Sequence, residues 1–149
     1  MTRAPLTAAT ARAVIVELCQ LVANKPVTSV IICEPRVAAQ HSLSKMLRPL
    51  PSLIEIACVS DGFSLVDAYS AQPADVVLIG IARSSDTGAQ AVALQSAMHP
   101  ESVIITVGAA SDAGLLVAAT IAGARGLLVW DHNQSPVSSD PQSDGPLAW

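Results

Sequence analysis

The feature that most constrains the fold is a regular alternation of short apolar segments with longer stretches of helical periodicity. The apolar segments are rich in Val, Ile and Leu and lack a polar face, which is typical of strands buried on both sides of a parallel sheet. Between them, apolar residues recur at the spacing of one helix face. We predict strands over 27–33, 52–59, 75–82, 102–107 and 127–130, and helices over 7–24, 37–47, 62–70, 87–98 and 111–122.

This order of elements predicts an α/β fold. Strands that alternate with helices form βαβ units, and right-handed crossovers place helices on both faces of the sheet. The sequence therefore predicts a doubly wound parallel sheet of five strands. We divide the chain into an N-terminal amphipathic helix extension (1–26), an α/β domain (27–131) and a disordered acidic tail rich in Ser and Pro (132–149).

Composition excludes several classes of protein. Hydrophobic residues make up 51% of the 149 residues and charged residues 13%, which excludes a disordered chain. The net charge of −4 argues against direct nucleic-acid binding, which needs a basic surface. The longest apolar runs, 76–82 and 115–119, are far shorter than the roughly 20 residues of a membrane-spanning helix. Without a signal peptide or a membrane segment, we expect a cytoplasmic protein.

Metal, redox and covalent chemistry find little support in the sequence. The potential metal ligands lack the spacing of a ligand set, and we expect the thiols to be buried as small hydrophobic side chains. They are Cys19, Cys33, Cys58, His41, His99 and His132. No glycine-rich phosphate loop or nucleophile motif is present. We therefore expect no cofactor, no metal ion and no enzymatic activity.

Three stretches carry a resemblance to a known family: VIICEPR (30–36), SDGFSLVDAYSAQPADVVLIGIARSSDTG (60–88) and SVIITVGAASDAGLLVAATIAGARGLLVWD (102–131). In order and spacing they resemble the receiver domain of bacterial response regulators, in the form that precedes a helix-turn-helix in LuxR- and NarL-type regulators. The resemblance covers about residues 28–131. It implies a flavodoxin-like fold with strand order 2-1-3-4-5.

The same resemblance implies that the family's phosphorylation site is degenerate. The phosphoacceptor Asp matches Gly80, and the two acidic residues that help to hold Mg²⁺ match Glu34 and Pro35. The hydroxyl residue after the fourth strand matches Gly108, or lies near Thr106 if the match shifts by one or two residues. The Lys that ends the fifth strand matches Trp130. Because phosphoryl transfer depends on positioned charge and metal, we expect a pseudo-receiver that is not phosphorylated by the family's route.

The chain also departs from the receiver architecture at both ends. The sequence after the fifth strand lacks the apolar periodicity of the family's C-terminal helix, and the helix over 7–24 is additional. We therefore expect neither that C-terminal helix nor an output domain. We expect the helix over 7–24 to cover the face left bare, either in cis or exchanged with a second chain. Exposed apolar side chains on it, on the helix over 111–122 and on the fifth strand predict an interface. They are Val14, Leu18, Leu21, Leu115, Leu116, Ile121 and Leu127.

Several residues near the expected site allow two interpretations. Glu34 is either a solvated loop residue or an acid paired with Arg36 or Arg83. Trp130 either fills the emptied phosphosite or caps the core at a strand end. Arg83 and Arg125 are either an anion site at the carboxyl ends of the strands or ordinary surface charge.

The start of the helix over 111–122 has a simpler interpretation. Ser111 and Asp112 are residue types that commonly cap helix N-termini through their side chains. We therefore expect a structural cap there and no functional site.

Two functions fit these observations. The first is a phosphorylation-independent regulatory protein that acts through protein–protein contacts, as a homodimer or with a partner regulatory protein. The second is a sensor of a small ligand, bound in the degenerate pocket where Gly80 and Gly108 lack side chains.

Overall fold

The computed structural model describes residues 8–130, with side chains from Val14 onward except at Val22. Five helices are present: α1 (Ala8–Ala23), α2 (Val37–Leu47), α3 (Gly62–Ala71), α4 (Thr87–Met98) and α5 (Ala113–Ala122). Five strands alternate with them: β1 (Thr28–Cys33), β2 (Leu53–Val59), β3 (Val76–Gly80), β4 (Ile104–Gly108) and β5 (Gly126–Val129). The predicted tail over 132–149, and the expectation that no helix follows β5, lie outside the described residues.

The strands form one parallel sheet in the order β2-β1-β3-β4-β5. This confirms the predicted doubly wound α/β fold of the flavodoxin-like, receiver-like type. The central strands β3 and β4 are buried along their whole length, as their apolar sequences predict. At the β2 edge the register shifts by one residue, since Val30 pairs with Glu55 and Ile31 with Ala57.

Two hydrophobic clusters cover the two sides of the sheet. Successive strand residues point to opposite faces, so Val30 and Ile32 join one cluster while Ile31 and Cys33 join the other. Helices α1 and α2 cover the first side, here called the α1/α2 face. Helices α3, α4 and α5 cover the second side, here called the α3–α5 face. Each side of the sheet therefore has its own helical layer.

Helix α1 completes the α1/α2 face. It packs against β1, β3 and β5, and its Ile15 and Cys19 are buried in the same cluster as Leu128 and Trp130. In this structure the helix covers the sheet of its own chain. Burying an Ile side chain stabilises a fold by about 2 kcal/mol relative to exposure, which makes this packing a substantial contribution.

A small polar network fastens the loop after α1 to the rest of the domain. The Asp75 carboxylate accepts hydrogen bonds from Ser29 N (3.0 Å), Ser29 Oγ (3.1 Å) and Lys25 Nζ (2.8 Å). Partial burial opposes ionisation of Asp75, but these donors outweigh it and hold the pKa of the carboxyl below its usual value. The network links the α1–β1 connection to the start of β3 at the amino-terminal edge of the sheet.

The observed elements differ from the predicted bounds by one or two residues at several ends. The clearest case is β4, predicted from residue 102 but beginning at Ile104. Ser102 is instead held in a turn, because its backbone N and its Oγ both donate to His99 O, at 2.9 and 2.6 Å. Similarly, β3 ends at Gly80 and not at residue 82. None of the described helices is both long and apolar enough to cross a membrane.

Candidate functional site

The candidate site lies at the carboxyl-terminal edge of the sheet, where β1 and β3 end side by side. Cys33 of β1 pairs with Ile79 of β3, so the next residues of the two strands, Glu34 and Gly80, are neighbours. In open α/β sheets this edge is the general position of binding sites. The parallel register therefore brings together two of the residues that the sequence singled out.

Glu34 is buried, with only 1% of its surface exposed. Both carboxylate oxygens accept hydrogen bonds from Arg36: Oε2 from the backbone N and from Nε (2.9 Å each), and Oε1 from Nη2 (2.8 Å). A bidentate guanidinium pair of this kind satisfies a buried carboxylate. The interpretation of Glu34 as a solvated loop residue is therefore wrong, and the alternative of a pair with Arg36 is the observed one.

Gly80 provides the space into which the Glu34 carboxylate fits. A Cβ atom built on Gly80 would lie 1.8 Å from Glu34 Oε1 and 2.6 Å from Glu34 Cδ. Any side chain at position 80 would overlap the carboxylate. The Glu34 carboxylate can therefore lie here only because residue 80 has no side chain. The carboxylate itself fills the space next to the end of β3.

The other glycines of this edge do not leave an open cavity either. A Cβ at Gly88, in the first turn of α4, would lie 2.2 Å from Gly80 O. A Cβ at Gly108 would lie 2.9 Å from Ile81 O and 3.2 Å from Leu116 Cδ2. The expected ligand cavity at Gly80 and Gly108 is therefore wrong, because close packing takes up the space that the missing side chains leave.

Further hydrogen bonds hold the end of β1 in place. The backbone N of Glu34 donates to Val59 O at 2.9 Å. The Gln40 side chain of α2 donates to Glu34 O and also contacts Ser60 Oγ at 3.1 Å. These contacts tie the segment after β1 to the segment after β2. Pro35 lies between Glu34 and Arg36 and contributes no carboxylate.

Two other expected members of the site point elsewhere. Trp130 is buried in the cluster of the α1/α2 face, and its backbone N donates to Gly108 O at 2.8 Å. It caps the core at the end of β5, so its placement in the emptied phosphosite is wrong. Thr106, also fully buried, directs its hydroxyl to Gly126 O of β5 at 3.5 Å, away from Glu34.

The two arginines do not form an anion site. Arg83 is exposed and donates from Nη2 to Ser111 O at 2.9 Å. Arg125 directly precedes β5 and bonds through its backbone N to Ile104 O, so it lies at the amino-terminal edge. The Asp112 side chain makes no cap hydrogen bond to α5 and instead accepts from Arg83 N at 3.3 Å, which corrects the predicted cap.

The residues do not suit Mg²⁺, the ion that the fold family implies. Mg²⁺ prefers several oxygen ligands in an octahedral arrangement. The carboxylate that lies beside Gly80, that of Glu34, uses both oxygens to accept from Arg36, and positions 35 and 80 carry no oxygen-bearing side chain. Among residues 8–130 no group of three or more His, Cys, Asp or Glu side chains is placed to hold a metal ion.

The cysteines differ in their surroundings. Burial raises the pKa of Cys19 and of Cys33 to about 12, so both are unreactive thiols at neutral pH. Cys58 lies on the edge strand β2 and is exposed, contrary to the expectation of burial. The apolar sequence around Cys58 did not indicate that β2 lies at the edge of the sheet.

One arrangement outside this edge places a hydroxyl, an imidazole and a carboxylate in a row. Ser70 Oγ lies 3.0 Å from His99 Nε2, and His99 Nδ1 lies 3.6 Å from Glu101 Oε2. The second distance is too long for a hydrogen bond, so the carboxylate does not orient the imidazole as nucleophilic catalysis requires. The His99 ring also packs against Tyr69, with centroids 4.7 Å apart, which indicates a structural role.

The predicted interface residues fall into two groups. Val14 and Leu18 are partly buried against the α1/α2 cluster, and Leu116 is 1% exposed, so these three belong to the core and not to an interface. The others have exposed side chains, to which the structure adds Val117. These exposed residues are Leu21, Leu115, Ile121, Leu127 and Val117.

Comparison with known proteins supports the fold. No protein-family model and no curated protein matches the sequence. Among solved structures, the response regulator domain of Thermotoga maritima CheB matches with a TM-score of 0.60 and 19% identity, over 69% of this chain and 78% of that one. A LuxR-family regulator from Aurantimonas sp. SI85-9A1 matches with a TM-score of 0.62 and 14% identity, over 72% and 79% of the two chains.

A third match strengthens the same conclusion. The DNA-binding response regulator of the LuxR family from Staphylococcus aureus gives a TM-score of 0.59 and 17% identity, over 74% of this chain and 90% of that chain. The chain has a receiver-like fold. At these identities the likeness concerns the fold alone, and function has to be argued from the site.

Proposed function

We propose that this chain is a receiver-like regulatory protein that works without phosphorylation and acts through protein–protein contacts. It functions either as a homodimer or bound to a partner regulatory protein. The observation that supports this most directly is the Glu34 carboxylate, 1.8 Å from the place that a Cβ of residue 80 would take. Gly80, which stands at the position that the resemblance assigns to the phosphoacceptor, has no side chain, and the Glu34 carboxylate takes up the space beside it.

The chemistry of this edge supports the same proposal. Phosphoryl transfer needs an acceptor oxygen, a metal ion and positive charge directed at the transferred group. Here the carboxylate that remains is buried and paired with the Arg36 guanidinium. A carboxylate that is already satisfied is a poor nucleophile and a poor metal ligand. We accordingly propose that the protein is not an enzyme.

The proposed contact surface combines α5 and β5. Val117 and Ile121 lie four residues apart on α5, hence on one side of the helix, and are 54% and 83% exposed. Leu115 and Leu127, the latter on the neighbouring edge strand β5, are also exposed. Adjacent exposed apolar side chains typically mark an interaction surface. A two-fold symmetric pair would bury the same residues on both copies.

Light scattering on the full chain tests this proposal. We expect the mass of a dimer, unchanged by acetyl phosphate with Mg²⁺, and we expect Ile121→Asp to shift the equilibrium to the monomer. Phe63→Ser, which changes an equally exposed side chain on α3, is the matched control and should leave the mass unchanged. A wild-type monomer at all concentrations would contradict the homodimer, and a mass that depends on the phosphate donor would contradict phosphorylation independence.

A further inference from the structure

A second surface lies on the other helices of the α3–α5 face. Helices α3 and α4 pack closely at their starts, where a Cβ at Gly62 would be 3.1 Å from Ala91 Cα. Beside this contact they form an open groove of about 590 Å³. Its lining consists largely of apolar and small side chains, with polar groups near one end. The lining includes Phe63, Ala93, Leu94, Ala97, Thr87 and Gln90.

Phe63 is the most unusual residue of this groove. It is the only phenylalanine of the chain, and 78% of its surface is exposed. A large aromatic side chain contributes most when it is buried, so a folded domain that leaves its single Phe in solvent forgoes that gain. Exposed aromatic residues beside a groove are typical anchors of protein interfaces.

Acidic residues lie at the groove and close to it: Asp61 lines it, and Asp67 and Asp86 are near its lining residues in sequence. Asp67 lies one helical turn after Phe63 on α3, and Asp61 and Asp86 stand at the starts of α3 and α4. All three are exposed, and none belongs to the ion pairs found among the described residues. A hydrogen bond from the Ser64 backbone N–H lowers the pKa of Asp61 below its already acidic usual value.

Basic side chains are scarce in this part of the sequence. Arg83 is the only Lys or Arg between Arg48 and Arg125, and its guanidinium bonds to Ser111 O at the start of α5. The groove thus combines an apolar floor with negative charge nearby. An occupant needs the complementary pattern, an apolar stripe flanked by positive charge.

We propose that the groove between α3 and α4 binds an amphipathic helix of a partner protein, with Lys or Arg beside the apolar stripe. A groove between two helices receives a third helix through apolar side chains spaced three and four residues apart. Helix α4 has 12 residues and is about 18 Å long, enough to contact about three turns of such a helix. This surface is separate from the one proposed for the dimer, and neither proposal depends on the other.

Chemical-shift mapping on the full-length chain tests the proposal. The probe is a synthetic amphipathic helix made of Leu and Lys. Two controls accompany it: the same Leu pattern with Glu in place of Lys, and a scrambled Leu/Lys peptide without an apolar stripe. We expect the Leu/Lys helix to shift the amide signals of Phe63, Thr87, Leu94 and Ala97, and we expect weaker binding at high salt.

Two variants locate the binding energy. Phe63→Ser should weaken binding by about tenfold or more, as expected for loss of an aromatic anchor. Asp67→Lys should weaken it and reduce its dependence on salt. The matched control is Ile121→Ser on α5, which removes an equally exposed apolar side chain and should leave the affinity unchanged.

Each contrary outcome overturns the proposal. Shifts centred on α5 and β5 would place the interaction on the other surface. Equal binding of the Leu/Glu peptide would show that the charge of the helix is not recognised. Equal binding of the scrambled peptide would show that the apolar stripe is not recognised. Shifts of the groove residues that depend on protein concentration alone would make a second copy of this chain the occupant.

Discussion

Glu34 and Gly80 are complementary in shape, because the side chain of one occupies the space that the other leaves free. The glycine accepts the carboxylate of its neighbour on β1, and the carboxylate fills the space that the glycine leaves. The guanidinium of Arg36, two residues later in the same segment, neutralises the charge of the Glu34 carboxylate.

Gly80→Ala should therefore destabilise the protein. We expect a loss of about 1–3 kcal/mol in the free energy of unfolding, because the new methyl group overlaps Glu34 Oε1. In a Glu34→Ala background the overlap is gone, so the same change should cost much less. Urea unfolding of the four proteins measures both costs. An identical cost in the two backgrounds would show that Glu34 does not occupy this space.

Asp75 gives a prediction for pH. Its pKa is lowered in the folded state, so its stabilising effect is present above the ordinary carboxyl pKa and is lost as the pH falls through the folded value. Asp75→Asn should cost about 1–2 kcal/mol at neutral pH, through weaker bonds to Ser29 and Lys25.

The difference between wild type and Asp75→Asn should begin to shrink below about pH 4, where the carboxyl of the unfolded chain becomes protonated. It should vanish once the pH has fallen through the lowered pKa of the folded state. Urea unfolding across a pH series measures it. A difference that stays constant into strong acid would contradict the role given to the ionised carboxylate.

Residue types alone did not predict the Glu34 arrangement. The resemblance placed Glu34 and Gly80 at one degenerate site, but it did not show that the Glu34 carboxylate fills the space beside the glycine. Their contact follows from the register that pairs Cys33 with Ile79. An explicit alignment of the parallel strands would have placed the two residues side by side.

At the scale of elements, α1 is the main structural departure from the resemblance. The resemblance predicts no helix before β1, whereas here the helix that precedes β1 covers β5. Its buried Ile15 and Cys19 lie in one cluster with Trp130. Trp130 thus serves the packing of α1 and has no part in the site that the resemblance assigns to its position.

Ile15→Ala tests the contribution of α1. We expect a loss of about 2–4 kcal/mol in the free energy of unfolding, because a cavity opens between α1 and the sheet. Leu21→Ala changes a side chain of the same helix that is 72% exposed, and should alter stability by no more than about 0.5 kcal/mol. Urea denaturation of both variants measures these values. Equal effects would mean that α1 does not pack through Ile15.

Element types were predictable because the pattern of this chain is strong. Buried parallel strands read as continuous apolar runs, and β3 and β4 are of this kind. The ends of the elements and the buried face of each helix were harder to predict from the sequence, because local hydrogen bonds and packing determine them. On α5, which is apolar on several sides, the sequence did not separate the buried Leu116 from the exposed Val117.

At the scale of the whole molecule, the carboxyl-terminal edge of the sheet around Glu34 is closely packed, whereas two other surfaces expose apolar side chains. The edge around Glu34 is packed and internally paired, while apolar side chains lie exposed on α5 and β5 and in the groove between α3 and α4. The sequence predicted the first surface from apolar positions on α5. It did not predict the groove, which forms only when the consecutive helices α3 and α4 pack side by side.

We propose that the protein combines the fold of a receiver with the loss of its phosphorylation chemistry. Intact mass spectrometry after incubation with acetyl phosphate and Mg²⁺ tests this claim most directly, with a phosphorylatable receiver domain as the positive control in parallel. The account predicts that the wild-type chain keeps its unmodified mass while the control gains a phosphoryl group. A single acid-labile phosphoryl group on a carboxylate of the wild-type chain would contradict it.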